Sequence, residues 1–233
     1  MNMTVRPLIA LFLSSILFTA CKKIGNDENM PAPAAGLMAF NLAPDKAAVG
    51  FTLSGNNFGN APLAYTNYSG VYFPVFTGDR EVRSFDYNTG NTLATTTNNF
   101  ADSGFYSAFL LGANGNYRNV VVKDELDSLK NATGKAWVRY VNAVVDSVSS
   151  PTVTIGEGTF NEAAPYASVS AFKQVSAGAL NTAISNGSNI SASRTITVDE
   201  NKVYTVLFVG QPNQADSTKA VQVKFIINGI ITP

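Results

Sequence analysis

Apolar residues along this chain recur with the period of strands. Thr195-Ile196-Thr197-Val198 alternates polar and apolar, Asp199 to Lys202 is polar, and Val203 to Val209 (VYTVLFV) is a nearly unbroken β-branched and aromatic run. Alternation marks a strand with one face buried, and a short continuous run fits a strand in a core. The pattern predicts a hairpin with its turn at 199–202. Val153 to Ile155, Val169 to Val175 and Val221 to Ile227 add strands at the spacing of a β-sandwich. No long stretch has helical periodicity; Leu126 and Leu129, at i and i+3, allow one helical turn.

The pattern occurs twice. Phe105 to Gly112 reads FYSAFLLG and Val203 to Gly210 reads VYTVLFVG, at an offset of 98 residues. Upstream, Asn41 to Asp45 (NLAPD) lines up with Asn142 to Asp146 (NAVVD), Phe58 with Phe160, Tyr72 with Phe172, Val75 with Val175 and Gly78 with Gly178, so the offset drifts only between 98 and 102. A tandem duplication gives this colinear drift. The units run from 36 to 125 and from 135 to 233, joined by the polar linker 126–134 (LDSLKNATG). The predicted fold is all-β: two tandem immunoglobulin-like β-sandwich domains of about seven short strands each, with a small open barrel as the alternative.

A strand followed by Asn-x-x-x-Asp, then an alternating strand, an aromatic, a Val-x-x-Gly step and a Tyr-bearing apolar strand resembles the bacterial family catalogued as domain of unknown function 4397. The resemblance covers most of residues 36–233. It implies an extracytoplasmic β-sandwich, often in tandem on secreted lipoproteins, and carries no established activity. The Asn and Asp of the motif read as capping groups that hold backbone N–H groups at a strand exit.

The N-terminal segment addresses location. Arg6 precedes the thirteen-residue apolar stretch Leu8 to Ala20, and Cys21 is the chain's one cysteine. At about 1.5 Å per residue such a stretch falls short of a ~30 Å hydrocarbon core, as an export signal does. Leu17-Phe18-Thr19-Ala20-Cys21 resembles a bacterial lipobox, which implies a signal peptide over 1–20 and lipidation of Cys21. Residues 21–35 then form the lipidated end and a flexible tether. Lys22, in place of the aspartate that retains lipoproteins in the inner membrane, implies the outer membrane of a Gram-negative envelope, with the periplasmic or surface side left open. The implied partner is a lipid bilayer, reached through acylated Cys21.

Charge and chemistry narrow the functions. Lysine plus arginine and aspartate plus glutamate number 16 each, so no field draws the chain to nucleic acid. Histidine is absent, which removes the commonest metal ligand and the usual proton relay. Ser170-Ala171-Phe172-Lys173 matches a Ser-x-x-Lys pattern but sits in strand-like surroundings, and Ala132-Thr133-Gly134-Lys135 lacks the rest of a phosphate loop. Carboxylates alone permit glycoside hydrolysis. The candidates Asp102, Asp199 and Glu200 lie in predicted turns, and Asp124, Glu125 and Asp127 cluster as solvated charges at the linker. No enzyme, cofactor or metal is expected.

The duplication also points to a surface. Tyr68 aligns with Ser168, Phe73 with Lys173 and Phe76 with Ser176, whereas Phe40/Tyr140, Phe58/Phe160 and Tyr106/Tyr204 are aromatic in both copies and read as core. Fifteen aromatics in the first unit against eight in the second put the surplus where exposure is expected. Tyr68, Phe73, Phe76 and the turn residue Tyr87 are the candidate ligand surface, for a glycan or an envelope protein. A bulkier core, or an interface between units, would account for the same surplus. The expected role is a non-catalytic binding or adhesion module, the alternative a structural spacer. Asp-Ser-apolar triplets at Ser128 and Ser147, with Asp216-Ser217-Thr218, resemble envelope O-glycosylation signals.

Overall fold

The computed structural model describes residues 34–146 and 150–231, so the signal peptide, Cys21, the tether to Pro33 and Ser147 lie outside the described residues. The first half carries β1 (Ala34–Asn41), β2 (Val49–Leu53), β3 (Asn56–Leu63), β4 (Phe73–Phe76), β5 (Gly78–Asp86), β6 (Thr92–Phe100), β7 (Phe105–Ala113) and β8 (Asn116–Lys123). A 3-10 turn at Leu126–Ser128 leads to β9 (Lys135–Val144), β10 (Thr152–Ile155), β11 (Phe160–Ala163), β12 (Lys173–Ser176), β13 (Gly178–Ser185), β14 (Ser191–Val198), β15 (Lys202–Gly210) and β16 (Gln222–Ile230).

The fold is all-β and repeats itself. Sheets of order β4-β1-β7-β8 and β3-β2-β5-β6 in the first half recur as β12-β9-β15-β16 and β11-β10-β13-β14 in the second. Each half is a sandwich of eight strands, one more than the pattern suggested. β1 runs parallel to β7 and β9 to β15, and the other pairs are antiparallel.

The expected hairpin at 199–202 is a crossover instead. β14 pairs with β13 in one sheet, and β15 pairs with β9 and β16 in the other. The continuous apolar run of β15 needs cover on both faces, which the outer sheet holding the alternating β14 does not offer. A tyrosine fastens the corner in both copies: the backbone N–H of Asp199 donates to the Tyr204 hydroxyl, and that of Ala101 to Tyr106, each at 2.9 Å. This is the tyrosine corner of β-sandwiches.

The other recurrent motifs also mark strand exits. Asn41 accepts from Ala43 N–H at 3.1 Å and donates to the carbonyls of Lys46 and Leu63; Asn142 accepts from Val144 N–H at 3.1 Å and donates to Ala164. Asp45 accepts from Asn114 N–H at 2.9 Å and the Tyr117 hydroxyl at 2.5 Å. In the Val-x-x-Gly step the valine packs against the core, and Gly78 and Gly178 take φ of +89° and +117° as the chain passes between sheets.

Three apolar layers hold the stack. Leu37, Ala39, Ala108 and Leu110 fill the first sandwich, and Val138, Tyr140, Val206 and Phe208 the second. The third layer, with Met38, Phe40, Phe109 and Leu111 against Val141, Leu207 and Val209, lies between the halves. Odd and even positions of β1, β7, β9 and β15 thus serve different layers, so these strands are buried on both faces and the four sheets form one stack. Phe40 and Tyr140, aligned in the sequence, point into different layers, because the register matches Phe40 to Val141. A slip of one residue exchanges the faces of a strand.

This middle layer contains a closed polar ring. Arg139 is ion-paired with Asp124, their side chains 2% and 0% exposed. Arg139 also donates to Thr205 Oγ1 and Ser107 Oγ, each at 2.9 Å, and stacks over Phe172 at 4.6 Å. Asp124 accepts from Ser107 at 2.5 Å and from the Tyr72 hydroxyl at 2.6 Å. Thr205 donates to Asn228 at 2.6 Å, whose amide returns to the Tyr72 hydroxyl at 3.2 Å. Asp124 is therefore the structural anchor of the interface, where the sequence placed a solvated linker charge; the interface brings it a guanidinium and two hydroxyls in place of water.

Candidate ligand surface

β3 and β4 are the edge strands on one side of the first sandwich, and they face each other across its open rim. Phe58 of β3 meets Phe73 of β4 edge to face, ring centroids 5.6 Å apart. Three depressions of about 360, 540 and 410 Å³ adjoin there and share Phe58 and Gly59. Each lies within the size range of small-ligand sites.

All four aromatics singled out from the sequence line this rim. Tyr68 borders the first depression, Tyr87 the second, Phe76 the third, and Phe73 the first and third. Their exposure differs. Phe76 is 66% and Tyr87 51% exposed, while Phe73 is half-buried. Arg80 braces Phe76: its guanidinium lies 5.9 Å from the ring centroid and donates to the carbonyl of Thr77 at 2.9 Å. Tyr87 stacks on Phe85, centroids 6.2 Å apart and planes 23° off parallel. Phe85 lies over Gly50, its cross-strand partner, where a Cβ would fall 2.3 Å from the ring.

Tyr68 stands apart. It pairs with Phe40 and stacks on its ring at 5.4 Å, packed against the layer between the sandwiches. Its register counterpart is Val169, which bridges Val141, so Tyr68 and Val169 are both apolar and the contrast with Ser168 dissolves. The one-residue shift that misaligned Phe40 also misaligned Tyr68.

For Phe73 and Phe76 the contrast stands in register. Leu37 faces Phe73 where Val138 faces Lys173, and Ala34 faces Phe76 where Lys135 faces Ser176. Two members of the surface were missed from sequence. Phe58, aligned there with Phe160, is the partner of Phe51, and the equivalent partner of Val153 is Glu162. Phe85 opposite Gly50 corresponds to Ser185 opposite Thr152, a contrast readable at an offset of 100. The Phe58–Phe73 contact of the first sandwich is thus replaced in the second by a Glu162–Lys173 ion pair at 3.2 Å.

That replacement bridges the second rim with charge. Lys173 Nζ sits 4.3 Å over the ring of Phe160, which is fully buried, and donates to Thr159 O at 3.3 Å. The Tyr140 hydroxyl and Lys173 both bond Glu162 and hold its carboxyl below the usual range, the phenol contributing most. Residues 136–224 match the family model described as domain of unknown function (DUF4397). The match runs from β9 into β16, so it covers the second sandwich. No curated protein matches the chain. The first sandwich repeats the strand order of the DUF4397 unit and differs from it most plainly at this aromatic rim.

The remaining candidates separate. Ser170 accepts from Tyr140 N–H at 2.9 Å while Lys173 pairs with Glu162, so the Ser-x-x-Lys pair makes no contact of its own. The residues lining the three rim depressions include no carboxylate. Among the described residues no group of three His, Cys, Asp or Glu is placed to hold a metal ion. Ser128 and Ser217 are exposed.

Proposed function

We propose that this chain is an outer-membrane lipoprotein, anchored through acylated Cys21, that acts as a non-catalytic binding or adhesion module. The observation that carries the reading is the rim of the first sandwich, which keeps Phe58, Phe73, Phe76 and Phe85 where the same fold in the second sandwich carries Glu162, Lys173, Ser176 and Ser185. The fold is therefore compatible with a polar rim, and the open aromatic one has a use outside folding. Exposed aromatics concentrated at one place mark recognition surfaces. The lining supplies stacking faces and amides with no acid–base pair, which supports binding without chemistry.

The stack of four sheets supports a second reading, a spacer in a larger envelope assembly. Two measurements test the proposal. Incorporation of a labelled fatty acid that Cys21→Ala abolishes is expected, and labelling that survives the substitution would remove the anchor. Trypsin added to intact cells is expected to cleave at Lys22, Lys23 or the exposed linker residue Lys130. Protection until lysis would sink adhesion and favour the spacer.

A further inference from the structure

We infer that the β3–β4 rim binds a neutral polysaccharide, an assignment that rests on the binding-module reading above. Phe76 is the most exposed aromatic residue among the described residues, with the Arg80 guanidinium 5.9 Å from its ring centroid. The electron-rich face of such a ring suits the partly positive C–H groups on one face of a pyranose. Beside it the side-chain amides of Asn56 and Asn57, and in the adjoining depression that of Asn67, are exposed and make no hydrogen bond among the described residues. Amides offer both a donor and an acceptor, as sugar hydroxyls require.

Charge selects against basic ligands, and the hydrogen bonding of the one cation leaves few donors for an acidic one. The lining has no carboxylate, and its one cation, Arg80, has its Nε and Nη2 donors turned onto the Thr77 carbonyl. The adjoining depressions suit a chain of sugars better than a single one, since they share Phe58 and Gly59 and together reach from Phe76 to Tyr87.

A peptide adding as a further strand fits less well. Val49 pairs with Leu63 and Phe51 with Phe58, so Gly59 to Pro62 bulges out of register; Gly59 has φ +77° and Pro62 has no N–H to offer. Bulges and proline blunt an edge against strand addition. The corresponding strand β11 pairs regularly with β10 at four positions, so the interruption belongs to the rim and not to the fold.

The test is affinity electrophoresis of the full chain in gels containing mixed-linkage β-glucan, xylan, galactomannan or dextran, with alginate as the acidic comparator. The variants carry the second sandwich's own residues: Phe76→Ser, Phe85→Ser, and the pair Phe58→Glu with Phe73→Lys, each checked by its urea midpoint. Retardation by at least one neutral polysaccharide is expected, weakened about tenfold by Phe76→Ser, as loss of a central aromatic anchor predicts. The charged pair is expected to abolish it. No retardation by any of the four, or equal retardation of folded variants, overturns the inference. Films of collagen and fibronectin separate the two levels of the argument. Binding to a film that Phe76→Ser removes, without polysaccharide binding, refutes the glycan and leaves the binding module. No Phe76-dependent binding in either assay refutes both.

Discussion

Arg139 of the second sandwich is ion-paired with Asp124, which ends the first, and both side chains are removed from water. Breaking a buried pair leaves one charge without compensation, at a cost of about 3 to 5 kcal/mol. Arg139→Met and Asp124→Leu are each expected to lower stability by that order in urea unfolding. The double substitution should cost clearly less than the sum, because it removes both charges together. Additive losses would show that the two side chains act independently and that the interface is held by Phe40, Phe109 and Leu207 alone.

Tyr72 gives the same layer an alkaline limit. Burial and then the adjacent Asp124 carboxylate push its phenol well above the ordinary range. A raised folded value favours the neutral phenol, so this stability is present below the unfolded value of about 10 and is lost as pH rises beyond it. Urea midpoints at pH 8, 10 and 11 are expected to fall for the wild type and to fall less for Tyr72→Phe. At pH 8 the phenylalanine should already cost roughly 1 to 3 kcal/mol, since Asp124 and Asn228 each lose a partner. Identical pH profiles would remove Tyr72 as the source of the alkaline loss.

Much of this was legible in the chain. The duplication, the all-β class, the turn at Leu126 and the capping role of Asn41 follow from local patterns, and local patterns report the faces of single strands. The contact between the sandwiches did not follow, although Arg139 within AWVRYVNAVV and Ser107 opposite Thr205 were its signals. A polar residue inside a doubly apolar strand marks a second buried face. The rim was half legible: Phe73 and Phe76 kept their register across the copies, while a one-residue offset set Tyr68 against Ser168 in place of Val169, and the bulge in β3 set Phe58 against Phe160 in place of Glu162. Sequence alignment counts residues, and sheet register counts partners.

Gly112 and Gly210 test the duplication at the level of backbone. They occupy equivalent places in β7 and β15, with φ of +118° and +104°, and a Cβ would fall 2.0 Å from Asn116 O and 2.2 Å from Ala220 O. Alanine at either is expected to cost more than the roughly 1 to 3 kcal/mol of backbone strain alone. Gly78, with φ +89° and open space around its Cβ, isolates the strain. The urea midpoint of Gly78→Ala should therefore lie between those of the wild type and of Gly112→Ala or Gly210→Ala. Equal losses at all three would mean that the neighbouring strands yield without cost.

The Glu162–Lys173 pair of the second rim predicts an acid-side effect that the Phe58–Phe73 contact of the first lacks. Glu162 is held below the usual carboxylate range by the Tyr140 phenol and then by Lys173. A lowered folded value means stability that is present above the unfolded value of about 4.3 and is lost as pH falls through the folded one. Its side chain is 42% exposed, so solvent screens the pair and the effect is modest. Midpoints at pH 6, 4.5 and 3 should decline in the wild type, with a shallower decline in Glu162→Gln. Carrying the pair into the first sandwich, by Phe58→Glu with Phe73→Lys, should steepen the acid decline, because those positions face each other in the same register. An unchanged acid profile in that variant would show that the pair also needs the Tyr140 phenol, whose register place in the first sandwich is held by Ala39.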